Sequence, residues 1–217
     1  MIVDAIYLKV REGGRVQFRG LLVAIGVNEH GQREIIGFQI ANSESENSWG
    51  EFFSSLKERG LKDVRLVTSD DHKGLVNAVR KHFQGASWQR CQTHFSRNMI
   101  ENAPKTLQPE IKEDLRQLYE SIDIESARKV RNRIIEKYQT KAPKATALLD
   151  EAFDDITAVL ALPLIYRKRL RTTNGAERLN QEIRHRERVI RIFPNEASAI
   201  RLMGALLMEQ DEKWQTG

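Results

Sequence analysis

Apolar and polar positions alternate along the first forty residues in three runs: 3–11 "VDAIYLKVR", 16–27 "VQFRGLLVAIGV" and 34–41 "EIIGFQIA". Gly13-Gly14 separates the first two and His30-Gly31-Gln32 the second two. Both separators are hairpin signals, so a three-stranded antiparallel meander is predicted. The period then changes. Trp49, Phe52, Phe53 and Leu56 recur at helical spacing, and Gly60 closes that helix. A short strand at 64–68, a helix at 72–83 on Leu75, Val76 and Val79, and a strand at 86–90 follow. Strand–helix–strand beside a meander predicts a mixed α/β sheet.

From about 95 to 165 the pattern is almost entirely helical, as in "IKEDLRQLYES" and "IESARKVRNRIIEKYQ", with Pro104, Pro109, Pro143 and Pro163 as punctuation. Two more helices are predicted near 174–188 and 196–212, separated by Phe193-Pro194. The chain therefore divides into 1–95 (first part of a core), 96–165 (a helical insertion) and 166–217 (helices completing the core).

Composition narrows the class. With 217 residues, 40% hydrophobic and 30% charged, the chain can bury a real core. Cys91 is the only cysteine, so no internal disulfide forms. No apolar run approaches the ~18 residues that span a bilayer, so no membrane partner is expected. The first residues lack a signal peptide's basic flank and cleavage site, and the expected location is cytoplasmic. Net charge is +5, but its distribution matters more. Residues 166–191 hold nine Lys/Arg against three acids, the electrostatic footprint of a polyanion binder or of a solvated helix.

The acids raise a sharper question. Asp4 lies within the first strand, on the face of Ile6, Leu8 and Val10, where a charge needs compensation. Asp70 and Asp71 end the fourth strand. If strands one and four are neighbours, Asp4 and Asp70 stand side by side, and paired carboxylates need a shared proton or cation. Hard oxygen ligands suit Mg²⁺ or Mn²⁺. Asp71 precedes a helix and reads as an N-cap. Glu177 is the best third acid: in "TTNGAERLNQEIRHR" it shares a helix face with Asn180 and Arg184 at i, i+3 and i+7. Asn174 with Glu177 also reads as a capping box, and Glu182 is the alternative acid. Cys91 and His94 are too few for a zinc site, which wants four ligands.

The stretches "SDDHKGLVNAV", "WQRCQTHFSRN" and "TTNGAERLNQEIRHRERVIRIFPNEASAIRL" resemble the mutator-type transposases of bacterial insertion sequences, over nearly the whole chain and in the same order. That resemblance implies a ribonuclease-H-like core interrupted by a helical insertion. It implies an Asp, Asp, Glu triad holding two divalent ions, carried here by Asp4, Asp70 and Glu177. Cys91 and His94 match the family's Cys-x-x-His signature; His94 is expected to orient a carboxylate or contact DNA, with Cys91 packed and Asn180 near the site. DNA is the implied partner, a homodimer the implied assembly. Arg167, Lys168, Arg169, Arg171, Arg178, Arg184, Arg186 and Arg188 are expected to track its phosphates. The implied reaction is strand cleavage by water and then strand transfer by the exposed 3′-hydroxyl. Relatives usually carry an end-binding region before this point, and Met1 stands three residues before Asp4. A shortened catalytic piece is therefore expected. The alternatives are a ribonuclease-H-like nuclease, or a DNA-binding or dimerising fragment without transposition.

Overall fold

The computed structural model describes residues 1–216. The three alternating runs pair as an antiparallel meander: β1 (Ile2–Glu12), β2 (Arg15–Val27) and β3 (Arg33–Ala41). Gly13 and Gly14 both adopt left-handed φ, +53° and +78°, as a two-residue hairpin turn requires and as only glycine adopts freely. β4 (Leu66–Ser69) pairs parallel to β1, and β5 (Ser87–Arg90) parallel to β4. The resulting five-stranded mixed sheet has the order β3-β2-β1-β4-β5.

Period-2 alternation sends β1 side chains to two different cores. Ile2, Ile6, Leu8 and Val10 pack with Leu21, Val23 and Ile25 beneath α8 (Asn174–Ile190) and α9 (Glu196–Thr216). Val3, Leu22 and Ala24 face the opposite way, onto α1 (Glu46–Glu58) and α2 (Lys73–His82). There Trp49, Phe52 and Phe53 are buried, and each such side chain contributes roughly 1.5–3 kcal/mol by leaving water.

A third core is wholly helical. α3 (Gln92–Glu101), α4 (Gln108–Tyr119), α5 (Ile124–Tyr138) and α6 (Pro143–Thr157) enclose Phe95, Met99, Ile111, Leu115, Ile134 and Phe153. The prolines here start helices rather than break them. Pro109 and Pro143 occupy the first turns of α4 and α6, and Pro163 precedes α7 (Leu164–Leu170), positions where a missing N–H costs nothing. This bundle meets the sheet through buried amides. Gln89 and Gln92 each donate from Nε2 to the Ile156 carbonyl at 2.9 Å, and Gln89 Oε1 accepts from the Val159 N–H at 2.7 Å. Among the described residues, no helix is long and apolar enough to cross a membrane.

Candidate active site

Asp4 and Asp70 come together through strand register. Ile2 of β1 is the partner of Thr68 of β4, and both strands run the same way, so two residues further on Asp4 lies alongside Asp70. Asp4 is half-buried on the α8 face. Its Oδ1 accepts from the Ala5 N–H at 3.0 Å and its Oδ2 from Asn180 Nδ2 at 2.8 Å. Burial pushes its pKa up to about 7; the Ala5 N–H opposes this, the Asp70 charge adds to it, and His94 and Asn180 moderate it. Asp70 Oδ1 accepts from the His72 N–H at 3.3 Å.

Glu177 is brought over by the junction of α7 and α8. That junction is pinned to the ends of β4 and β5. Thr68 Oγ1 donates to the Leu170 carbonyl at 2.5 Å, the Gln92 N–H to the Arg171 carbonyl at 3.1 Å, and Cys91 Sγ meets Thr173 Oγ1 at 3.3 Å. The first turn of α8 then sits against α3, and His94 Nε2 stands 3.5 Å from Glu177 Oε1. Hydrogen bonding with Cys91 raises the His94 pKa most; burial opposes it, and the charges of Cys91, Asp70 and Glu177 raise it further. For Cys91, burial favours the neutral thiol, but hydrogen bonds from His94 and Thr173 outweigh burial and leave its pKa lowered.

Two capping expectations fail. Asp71 does not cap α2. His72 occupies the N-cap without a side-chain bond, and Asp71 Oδ2 instead pairs with Nη1 of the nearly buried Arg90 at 3.1 Å. The pull of a desolvated guanidinium exceeds that of an N-terminal N–H at the surface. Nor do Asn174 and Glu177 form a capping box. Thr173 is the N-cap, and Asn174 Oδ1 accepts from Thr93 Oγ1 at 3.0 Å. Glu177 is thereby left free to face His94.

Over all 217 residues the chain matches the family described as "Transposase, Mutator family". The chain belongs to that family. It is 47% identical over 216 residues to the "Transposase for insertion sequence element IS256 in transposon Tn4001" of Staphylococcus aureus, covering 99% of this chain and 55% of that protein. It is 40% identical to the "Transposase for insertion sequence element ISRM5" of Rhizobium meliloti, covering 99% and 54%. It is 42% identical to the "Transposase for insertion sequence element IS1081" of Mycobacterium tuberculosis, covering 100% and 52%. The chain thus spans about half the length of the curated relatives it matches.

In this Mutator-family chain the basic residues divide by position. Lys168, Arg169, Arg171 and Arg178 converge on one cleft at the start of α8. Arg184, Arg186 and Arg188 are exposed along its second half. Arg167 is engaged within the protein: Nε donates to the Leu162 carbonyl at 2.7 Å and Nη1 to the Ile122 carbonyl at 2.5 Å. Two residues escaped the sequence pattern. Arg33, from β3, joins the basic cleft. Glu44 lies near Asp70, with Oε1 3.8 Å from His72 Nδ1. Burial raises its pKa, His72 opposes that, and Asp70 adds to it.

Among the described residues no three His, Cys, Asp or Glu side chains form a group arranged to hold a metal ion. The candidate donors are the carboxylates of Asp4 and Asp70. A half-buried carboxyl carrying a raised pKa beside a second carboxylate is under-compensated, and its oxygen donors are the kind a hard divalent cation takes. Glu177, the candidate third acid, lies against His94.

Proposed function

We propose that this chain carries the catalytic core of a DDE-type transposase, ribonuclease-H-like in fold. It would act on DNA phosphodiesters through Asp4, Asp70 and Glu177 with two Mg²⁺ or Mn²⁺ ions. The observation that carries the reading is the register of β1 and β4, which sets Asp4 alongside Asp70 beneath a helix bearing Glu177. The sheet order, with a meander on one side and two parallel strands on the other, supports the fold assignment. Residues 96–165 would be the insertion in that core, and two element ends to be processed favour a homodimer.

In this reading Asp4, Asp70 and Glu177 would hold the metal, Glu177 being at present turned to His94. Bound divalent ions would supply activation of the attacking oxygen and stabilisation of the leaving one. The chain's own residues position the acids. Asn180 fixes one oxygen of Asp4 and the Ala5 N–H the other, which sets the carboxyl plane. His94, 3.5 Å from Glu177 Oε1 and with its pKa raised chiefly by hydrogen bonding with Cys91, would restrain Glu177 before substrate arrives. The basic residues of α7 and α8 other than Arg167 would neutralise backbone phosphates, so binding would weaken steeply with salt.

The test is a Mn²⁺ titration of thermal stability at fixed ionic strength. A ligand bound only by the folded chain adds RT ln(1 + [L]/Kd), about 2.7 kcal/mol at a hundred times Kd. Wild type and Asp71→Ala are expected to gain, and Asp4→Ala, Asp70→Ala and Glu177→Ala to gain little. Equal gains in every variant would overturn the triad. A strand-joining assay then separates transfer from hydrolysis.

A further inference from the structure

The cleft at the amino end of α8 holds about 430 Å³ and is lined by five cations, Arg33, Lys168, Arg169, Arg171 and Arg178, with no acid among its walls. Docking of one helix on one turn builds it. Tyr166 of α7 donates from its hydroxyl to the Glu29 carbonyl at 2.8 Å, and Ile165 packs on Gly31. α7 therefore rides on the β2–β3 turn, which carries Lys168 and Arg169 to Arg33 at the first position of β3. Arg33 is held from two further sides. Trp214 of α9 lies 5.4 Å from the guanidinium carbon, and a Cβ on Gly175 would stand 3.0 Å from Nη1. Stacking on the indole restricts the guanidinium without neutralising it.

Gathering like charges in a recess is unfavourable unless something offsets it. Burial, then Arg169 and Arg178, lower the Arg33 pKa, so the protein itself leaves the charge uncompensated. An anion from outside would compensate it. Guanidinium forks match phosphate oxygens in bidentate fashion, and four of the five cations are arginines. Arg178 immediately follows Glu177 on α8, and Asn174 at the rim of the recess accepts from Thr93 Oγ1, next in the chain to the His94 that meets Glu177. Arg171, Thr172 and Asn174 also line a second cleft, reaching Gln92, Ser96 and Tyr119 on α3 and α4. The two clefts share these three residues at the start of α8, and the acid of the second, Glu120, is paired with Arg116.

We infer that the recess floored by Arg33 binds a phosphodiester of the DNA strand that passes the candidate carboxylates. The inference rests on the DNA reading above and adds to it a residue from the sheet, Arg33, and a defined place on the strand's path.

The experiment measures binding of the whole chain to a fluorescein-labelled DNA duplex of arbitrary sequence, by anisotropy, across a salt series without divalent metal. Arg33→Gln is expected to bind roughly tenfold more weakly, as removal of one charge-assisted hydrogen-bonding partner predicts. The slope of log affinity against log salt should become shallower by about 0.9 for each phosphate no longer neutralised. Arg33→Gln combined with Arg169→Gln should lose less than the product of the single losses, because both serve one phosphate. Arg33→Gln combined with Arg188→Gln should give the product. Wild-type binding by Arg33→Gln, or a full product for the Arg33–Arg169 pair, would overturn the site while leaving the DNA reading intact. Absence of any binding by wild type would instead overturn the DNA reading, and the site with it. If Arg33→Gln proves unfolded in a melting scan, the Arg169–Arg178 pair decides: coupling supports the recess and a full product refutes it.

Discussion

Asn180 on α8 donates to Oδ2 of Asp4 on β1 across 2.8 Å, bridging the penultimate helix and the first strand at the charged position between Ile2 and Ile6. This bond ties the orientation of a half-buried carboxyl to the seating of α8. The electrostatics of Asp4 are therefore readable as stability.

Without metal, stability should fall as pH rises between about 4 and about 7. Asp4 titrates at 3.8 when unfolded and at about 7 when folded. Between those values the native state retains a proton that the unfolded state has lost, so raising the pH favours unfolding, and the effect levels off above about 7. Asp4→Asn should remove this slope and exceed wild type near pH 8 by about 1–3 kcal/mol. Urea denaturation in chelator across pH would show it; parallel profiles for the two proteins would refute it.

His94 should titrate above its ordinary value of 6.5, because Cys91 and the neighbouring acids favour its charged form over the opposing burial. Its contribution to stability is complete below pH 6.5 and is lost as pH rises through the folded value. Cys91→Ala should bring the imidazole pKa down, measured by NMR of the ring protons. An unchanged titration would remove Cys91 as the main cause.

Asp71 offers a clean choice between capping and ion pairing. Asn is as good an N-cap as Asp, but it cannot neutralise Arg90. Both Asp71→Asn and Asp71→Ala should therefore cost about 1–2 kcal/mol, discounted for the half-exposed Asp71 carboxylate. Stability of Asp71→Asn equal to wild type would restore the cap.

Gly74 sits where the first turn of α2 meets the start of α1. A Cβ there would lie 2.9 Å from the backbone nitrogen of Glu46, and backbone cannot swing aside as a side chain can. Gly74→Ala should cost about 1–3 kcal/mol despite alanine's better helix propensity. A gain in melting temperature would show that the two helices part easily.

Much of this architecture is legible in the sequence because it is local. Alternation marks the meander and places Asp4 on the face of Ile6 and Leu8, and helical spacing marks α1 and α2. The pairing of β1 with β4 follows from the strand–helix–strand pattern. Asp71 misleads because N-cap preference is a local rule and Arg90 reaches it only through the fold. The basic cleft is half visible. The cations of α7 and α8 cluster in sequence, but Arg33 is a single arginine at the start of a strand and joins them only through the docking of Tyr166. Glu44, in "NSESEN", has no periodic signal to separate it from its solvated neighbours.

The seam formed by Thr68, Cys91 and Gln92 against the α7–α8 junction also dictates an order of assembly. All five strands leave the ribosome before residue 170 is made, yet the face bearing Ile6, Leu8 and Val10 acquires most of its cover from α8 and α9, with Val159, Leu170 and Phe193 adding to it. A chain interrupted before Glu177 would leave much of that greasy sheet surface exposed. Incomplete products would therefore be marked for chaperones and proteases by the helices they lack.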